Sequence, residues 1–168
     1  MRGDLEVSHD TATRWLAWLR ELFYVFDVKP WARGLQRSLR KEGKMYMWDW
    51  SEVEAPGPRF ENLVACHLLK ACNFWTDVGE GDFELYLLRD KEKHEIDFVI
   101  VRNRRPWLPF EAKLGDVAPA AAWAKLLPQL RVDFGVQLVA EAGHWHWHDV
   151  ANGRVLVASA EELLGYLV

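Results

Sequence analysis

The sequence predicts an α/β domain, a mixed β-sheet flanked by α-helices, and three observations carry that expectation. Three apolar strand-like runs between Phe83 and Lys113, separated by polar turns, read as an antiparallel meander. An alanine-rich helix seed, Ala120 to Leu127, leads into another buried run, Phe134 to Ala140, and a helix joining two strands of one sheet makes a crossover to a parallel neighbour. Ahead of the meander, Phe60, Leu63, Val64, His67, Leu68 and Ala71 recur at the spacing of a helix lying on a sheet. The chain has 168 residues, half of them hydrophobic, which fits one domain with a sizeable core.

From the N-terminus, Trp15, Leu16, Leu19, Leu22 and Phe23 fall at helical spacing, with Asp10 where an N-cap is expected. Tyr24 to Val28 reads as a short strand ended by Lys29-Pro30. Arg33, Arg37, Arg40, Lys41 and Lys44 then share one face of a helical segment, either as phosphate contacts or as a solvated face. Met45 to Trp50 is strand-like again, and Glu54-Ala55-Pro56-Gly57-Pro58 is a break. A helix from Arg59 to about Phe74 follows. The meander strands are Phe83 to Arg89, Ile96 to Val101 and Trp107 to Lys113, with Arg102 to Pro106 as the second turn. After the crossover, Trp145, Trp147 and Val150 lead through Asn152-Gly153 into Val155-Leu156-Val157, a hairpin. Ser159-Ala160-Glu161-Glu162 carries a capping-box pattern and opens a closing helix. Residues 1–23 form an N-terminal helical segment in this reading, and 24–168 the domain proper.

Composition narrows the function classes. No apolar run is long enough to span a bilayer and Met1-Arg2-Gly3-Asp4 does not begin a signal peptide, so a cytoplasmic protein with no membrane partner is expected. Cys66 and Cys72, the two cysteines, point in different directions on one helix and read as core thiols. A net charge of −4 argues against a general attraction to nucleic acid, so any such contact must use a local basic patch. Ten tryptophans are unusual for this length; an interface is one place for some of them, and the reading that most are core is preferred. His144, His146 and His148 alternate onto one strand face. Successive rings stand about 7 Å apart there, which favours an exposed polar face over a metal site.

Charged residues inside the second and third meander strands need a reason, because a buried, unpaired carboxylate is costly. A hairpin turning near Arg104 sets Asp97 opposite Glu111, with their Cβ atoms about 4.5–5.5 Å apart and Lys113 two residues further along the same face. Two hard oxygen donors at that separation suit Mg²⁺, and a neighbouring lysine can position a water or offset charge on a phosphate. Glu61 lies about 100° round its helix from Phe60, at the seam of the buried stripe. From there it either reaches over the sheet edge toward Asp97 and Glu111 or complements the helix N-terminus.

Glu61 on a helix, Asp97 in the second meander strand and Glu111-x-Lys113 in the third resemble the PD-(D/E)XK nuclease-like superfamily, which has a restriction-endonuclease-like fold. Lys44-Met45-Tyr46-Met47-Trp48-Asp49, Arg59 to Ala65, Glu95-Ile96-Asp97-Phe98 and Phe110 to Lys113 look like the DUF4143 domain, the C-terminal part of prokaryotic AAA-type ATPases, over about Tyr24 to Ala140. The resemblance implies a metal-dependent nuclease-like domain hydrolysing phosphodiesters of nucleic acid. Glu61, Asp97 and Glu111 would hold Mg²⁺ or Mn²⁺, and Glu61, Asp97, Glu111 and Lys113 would form the catalytic set. The alternative is a non-catalytic protein-interaction or regulatory module that keeps the fold and works with a protein partner or as a homodimer.

Two departures qualify the resemblance. No G-x-x-x-x-G-K-[ST] loop occurs, so ATP is not expected to bind in that way, and Arg2-Gly3-Asp4-Leu5 looks like a remnant of the segment that follows the ATPase. The pair suggests a shortened or split gene product. Pro109 stands where the family usually has an aliphatic residue, and a bulge just before Glu111 is expected from it.

Overall fold

The computed structural model describes residues 7–31, 43–89 and 95–167. The basic run from Arg33 to Lys41 lies outside them. Among the described residues, four α-helices and eight strands occur in the order α1 (His9–Glu21), β1 (Val25–Pro30), β2 (Lys44–Met47), α2 (Pro56–Asp77), β3 (Phe83–Arg89), β4 (Glu95–Arg102), β5 (Arg105–Lys113), α3 (Trp123–Leu130), β6 (Phe134–Val139), β7 (Trp145–Val150), β8 (Gly153–Ser159) and α4 (Ala160–Gly165). A turn of 3-10 helix, Trp50–Glu52, lies between β2 and α2. All eight strands join one mixed sheet in the order β2-β1-β3-β4-β5-β6-β8-β7. β3, β4 and β5 are the expected antiparallel meander, and β6 joins β5 in parallel after α3.

The sheet is covered on both faces. Val64, Ala65 and Leu68 of α2 and Leu163 and Leu164 of α4 pack with Phe98, Ile100, Phe110, Leu138 and Leu156 in one core. Trp123, Leu126, Leu127 and Leu130 of α3 pack with Val99, Val101, Val139, Val155 and Val157 in the other. Alternation along each strand explains the division, since from Phe98 onward even and odd positions of β4 supply opposite faces.

Several local expectations are corrected. α1 is capped by Ser8, whose hydroxyl accepts from the Thr11 N–H, while Asp10 sits inside the first turn. None of its residues is buried, and Trp15, Trp18, Leu22 and Phe23 are exposed. β1 runs through Pro30 instead of stopping before it. α2 starts earlier than Arg59, at Pro56, because a proline in the first turn sacrifices no helical hydrogen bond. His67 is half-buried and not a core residue. Ser159 does not cap α4 with its side chain. Its hydroxyl donates to the Glu141 carbonyl and accepts from the His144 N–H instead, tying the start of β7 to the end of β8.

The β4–β5 hairpin turns on Asn103 and Arg104, both at positive φ, as a two-residue turn between twisted strands requires. Phe98 faces Phe110, Val99 faces Pro109 and Ile100 faces Leu108, which is the register expected from the sequence. The bulge lies nearer the turn, where Val101 pairs with Pro106 and Trp107 is the extra residue, not beside Glu111. Pro109 stays in the ladder because β5 joins β6 only from Phe110 onward, so its missing N–H falls outside that second ladder.

Gly135 on β6 shows how closely α3 approaches the sheet. A Cβ added there would lie 2.3 Å from the Trp123 ring, which is fully buried and donates its indole N–H to Gln137 Oε1 at 3.3 Å. Gly135→Ala is expected to lower unfolding free energy by about 1–3 kcal/mol through overpacking, read from urea melts; an unchanged midpoint would show that Trp123 has room to move.

Candidate functional site

The charged residues gather at the end of the sheet where β4 begins and β5 finishes. A second bulge sets the position of Asp97. β3 pairs Tyr86 with Val99 but Leu88 with Ile96, so β4 carries one extra residue there. Ile96 and Val99 therefore share the α3-side core while Phe98 packs on the other face, and Asp97 is the residue that breaks the alternation. Bulges of this kind redirect a side chain, and they are frequent beside functional sites.

Asp97 is buried and fully engaged. Its Oδ2 accepts from the Ala112 N–H at 3.1 Å and its Oδ1 from Lys44 Nζ at 3.0 Å, while its own N–H donates to Glu111 Oε2 at 3.2 Å. Lys44, at the start of β2, is the centre of the cluster. Its ammonium also lies 2.8 Å from Glu61 Oε1 and 2.6 Å from Glu95 Oε1. Glu61 projects from the first turns of α2 and accepts from the Tyr46 hydroxyl at 2.6 Å, and Glu95 also pairs with Arg89. Lys113 Nζ lies 2.7 Å from Glu111 Oε1, so both Glu111 oxygens are occupied. Asn62, buried beside Glu61, bonds both the N–H and the C=O of Met47 and locks β2 to α2.

The electrostatics are uneven. Four carboxylates, Glu61, Glu95, Asp97 and Glu111, face three cations, Lys44, Arg89 and Lys113. Burial opposes the charge on Lys44, but Asp97, Glu61 and Glu95 outweigh it and hold the ammonium well above its ordinary pKa. Burial lifts Asp97, and the Glu61 charge adds to it against Lys44 and the Ala112 N–H. Glu111 is pushed up to about 7, by burial first and the Asp97 charge second, with Lys113 offsetting only part. Glu95 goes the other way: burial works against its charge, and Lys44 and Arg89 prevail to lower it. Tyr46 is driven far up by burial and then by Glu61, so its hydroxyl remains a donor.

The four residues expected from the sequence, Glu61, Asp97, Glu111 and Lys113, thus meet at one end of the sheet, in two linked groups. Lys44 gathers Glu61 and Asp97, Lys113 neutralises Glu111, and the Asp97 N–H joins the two. Lys44, Tyr46 and Glu95 complete the site and were not anticipated as members. Lys44 read as the end of a basic face, yet it opens a strand whose alternating partner, Tyr46, points at the same acid; that i, i+2 spacing was the available signal. Carboxylate oxygens are the donors that Mg²⁺ and Mn²⁺ take. Glu61 Oε1 and Asp97 Oδ1 already lie within 3.0 Å of one cationic centre, the Lys44 nitrogen. Among the described residues no group of three or more His, Cys, Asp or Glu side chains is arranged to hold a metal ion as it stands. Nor, among those residues, is any helix long and apolar enough to cross a membrane.

Fold and site define a mixed α/β domain with a half-buried carboxylate–lysine cluster at one end of its sheet. The chain belongs to the family described as the domain of unknown function DUF4143, whose family model matches residues 56–148, more than half the chain. Residues 1–54 match a second family model, the domain of unknown function DUF8612. The boundary passes through the cluster: Glu61, Glu95, Asp97, Glu111 and Lys113 fall in the first match, Lys44 and Tyr46 in the second. The Lys44 to Asp49 motif therefore lies outside the DUF4143 match, which is shorter at its N-terminal end than the resemblance suggested. A search of curated proteins found no match, and neither did a search of solved structures.

The raised Glu111 carboxyl ties stability to pH. The folded state favours its protonated form, so this contribution is fully present below the ordinary value of 4.5 and is lost as pH rises through about 7. Glu111→Gln is expected to remove a fall of about 1–3 kcal/mol between those limits, read from urea melts at each pH. An unaltered pH slope in the variant would show that Glu111 is not the group responsible.

Proposed function

We propose that the cluster is a divalent-cation site of a nuclease-like domain, with the PD-(D/E)XK type of restriction-endonuclease-like sheet, acting on phosphodiesters of nucleic acid. The observation that carries this reading is the convergence of Glu61 from α2 and Asp97 from β4 on a single cationic centre, with Glu111 and Lys113 one hydrogen bond away. Glu61 and Asp97 would hold Mg²⁺ or Mn²⁺ in place of the Lys44 ammonium, with Glu111 supporting them. When bound, such an ion supplies Lewis acidity and a more acidic water.

The chain's own groups have distinct parts. The Ala112 N–H fixes the Asp97 carboxylate on β5. Glu111 accepts from the Asp97 N–H and pairs with Lys113, which holds its carboxylate beside Asp97. Lys113, partly exposed, offers positive charge to a phosphate oxygen. Tyr46 orients Glu61.

A second reading, a non-catalytic interaction module, is favoured by two other observations. Lys44 already occupies the position between the acids, and α1 with the residues that follow it leaves Trp15, Trp18, Leu22 and Phe23 exposed, a surface suited to a protein partner or a second copy.

Lys44→Met separates the two. At neutral pH it is expected to cost about 2–4 kcal/mol, because three carboxylates lose their shared partner. Under the cation reading, millimolar Mg²⁺ or Mn²⁺ restores most of that loss and raises the Tm; under the second reading neither ion does. Direct titration of the intact chain by calorimetry is expected to show Mn²⁺ or Mg²⁺ binding that Asp97→Ala abolishes, alongside divalent-dependent cleavage of single- or double-stranded DNA or RNA. A chain that binds neither ion and cleaves none of these substrates is not a metal-dependent nuclease.

A further inference from the structure

The opposite end of β4 and β5 carries charge of the other sign. Arg104 and Arg105 at the hairpin turn and Arg131 at the end of α3 line one cavity of about 670 Å³, whose apolar walls are Trp31, Pro106 and Leu130. All three arginines are exposed, and none has a side-chain hydrogen bond or ion pair among the described residues. Arg105 also borders a second cavity of about 610 Å³, with Arg102, Asn103 and Trp107. Arg102 is engaged there, donating to the Glu80 carbonyl at 2.6 Å and lying over the Phe83 ring.

Backbone conformation is the second, independent observation. Arg104 has φ 64° and Arg131 φ 58°, the left-handed region in which glycine is at ease and a side chain is strained. Each occupies a place where glycine is the ordinary residue: the second central position of a two-residue hairpin turn, and the residue ending a helix. Two strained arginines from distant parts of the chain thus border one cavity. The turn and the helix end require this conformation, but local preference does not account for arginine at either, and strain of this kind gathers at binding sites.

Guanidinium groups match phosphate oxygens with paired donors, and an aromatic wall offers a face for a base. The structure assigns this cavity, we infer, as a nucleotide-phosphate site: it takes phosphate groups of a single-stranded nucleic acid or of a free nucleotide. Arg102 lies five positions after Asp97 on β4 and Arg105 six before Glu111 on β5, which places the site roughly 20 Å from the acid cluster. It therefore does not depend on the cation reading. With a net charge of −4 the chain as a whole repels polyanions, so binding there must come from the local arginines.

The test uses the intact chain at about 50 mM salt, with labelled deca-thymidylate followed by anisotropy and inorganic pyrophosphate by calorimetry. Saturable binding of at least one probe is expected, with the log–log salt slope for deca-thymidylate near about −2 if three phosphates are neutralised. Deca-thymidylate alone would mark a nucleic-acid chain as the source; pyrophosphate binding alone would mark a free nucleotide. The triple variant R104G/R105A/R131G is expected to lose at least about tenfold in affinity, a change of about 1.4 kcal/mol. Arg104→Gly and Arg131→Gly each relieve strain, so each should raise the Tm by about 2–4 °C, which separates lost binding from lost folding. Failure of both probes to bind, or equal affinity in the triple variant, would overturn the assignment, whereas a failed cleavage assay would leave it untouched.

Discussion

The Asp97 carboxylate is the point at which four elements are joined. One oxygen accepts from the backbone of β5 and the other from Lys44 of β2, which in turn holds Glu61 of α2, while the Asp97 N–H reaches Glu111. Removing a carboxylate from water is tolerable only when its oxygens are satisfied, and here a backbone donor and an ammonium do so together. The bulge in β4 makes this possible. Without the extra residue Asp97 would follow the alternation of its neighbours into the α3-side core, among Val99, Val101 and Trp123. The sheet irregularity and the charge cluster are therefore one feature.

That feature is not at electrostatic rest. Asp97 and Glu111 both sit above their ordinary pKa although lysines touch them, because burial, together with the Glu61 charge on Asp97 and the Asp97 charge on Glu111, exceeds what Lys44 and Lys113 return. A purely structural ion-pair network tends to lower the pKa of its acids, as it does for Glu95, paired with both Lys44 and Arg89. Glu95 and Asp97 are two residues apart and share Lys44, yet they shift in opposite directions. Depth explains the difference: Asp97 is buried and Glu95 only half so.

β4 and β5 also separate the two signs of charge. Acids collect where β4 begins and β5 ends, and arginines collect at the turn between them. The chain is acidic overall, so its positive charge has effect only where it is concentrated.

Much of this was legible in the sequence, for local reasons. The period-two apolar runs and polar turns of 83–113 identified the meander, the helix between two buried runs implied the parallel crossover, and the parity of the second hairpin matched its register from Phe98 to Ile100, although the β4 bulge takes Asp97 out of that alternation. Other features were decided only by tertiary structure. Ser159 was expected to cap α4 but bonds Glu141 and His144 instead, because β7 brings them within reach. Pro109 suggested a bulge that falls two residues away, at Trp107, since the cost of a missing N–H depends on which ladder needs it. Lys44 is the clearest case. The residue type and its strand were readable, but its three carboxylate partners come from α2 and two positions of β4, distant in sequence. Periodicity is a property of neighbouring residues and survives in the sequence; the pairing of charges depends on which segments the sheet order brings together, and that only the folded chain decides.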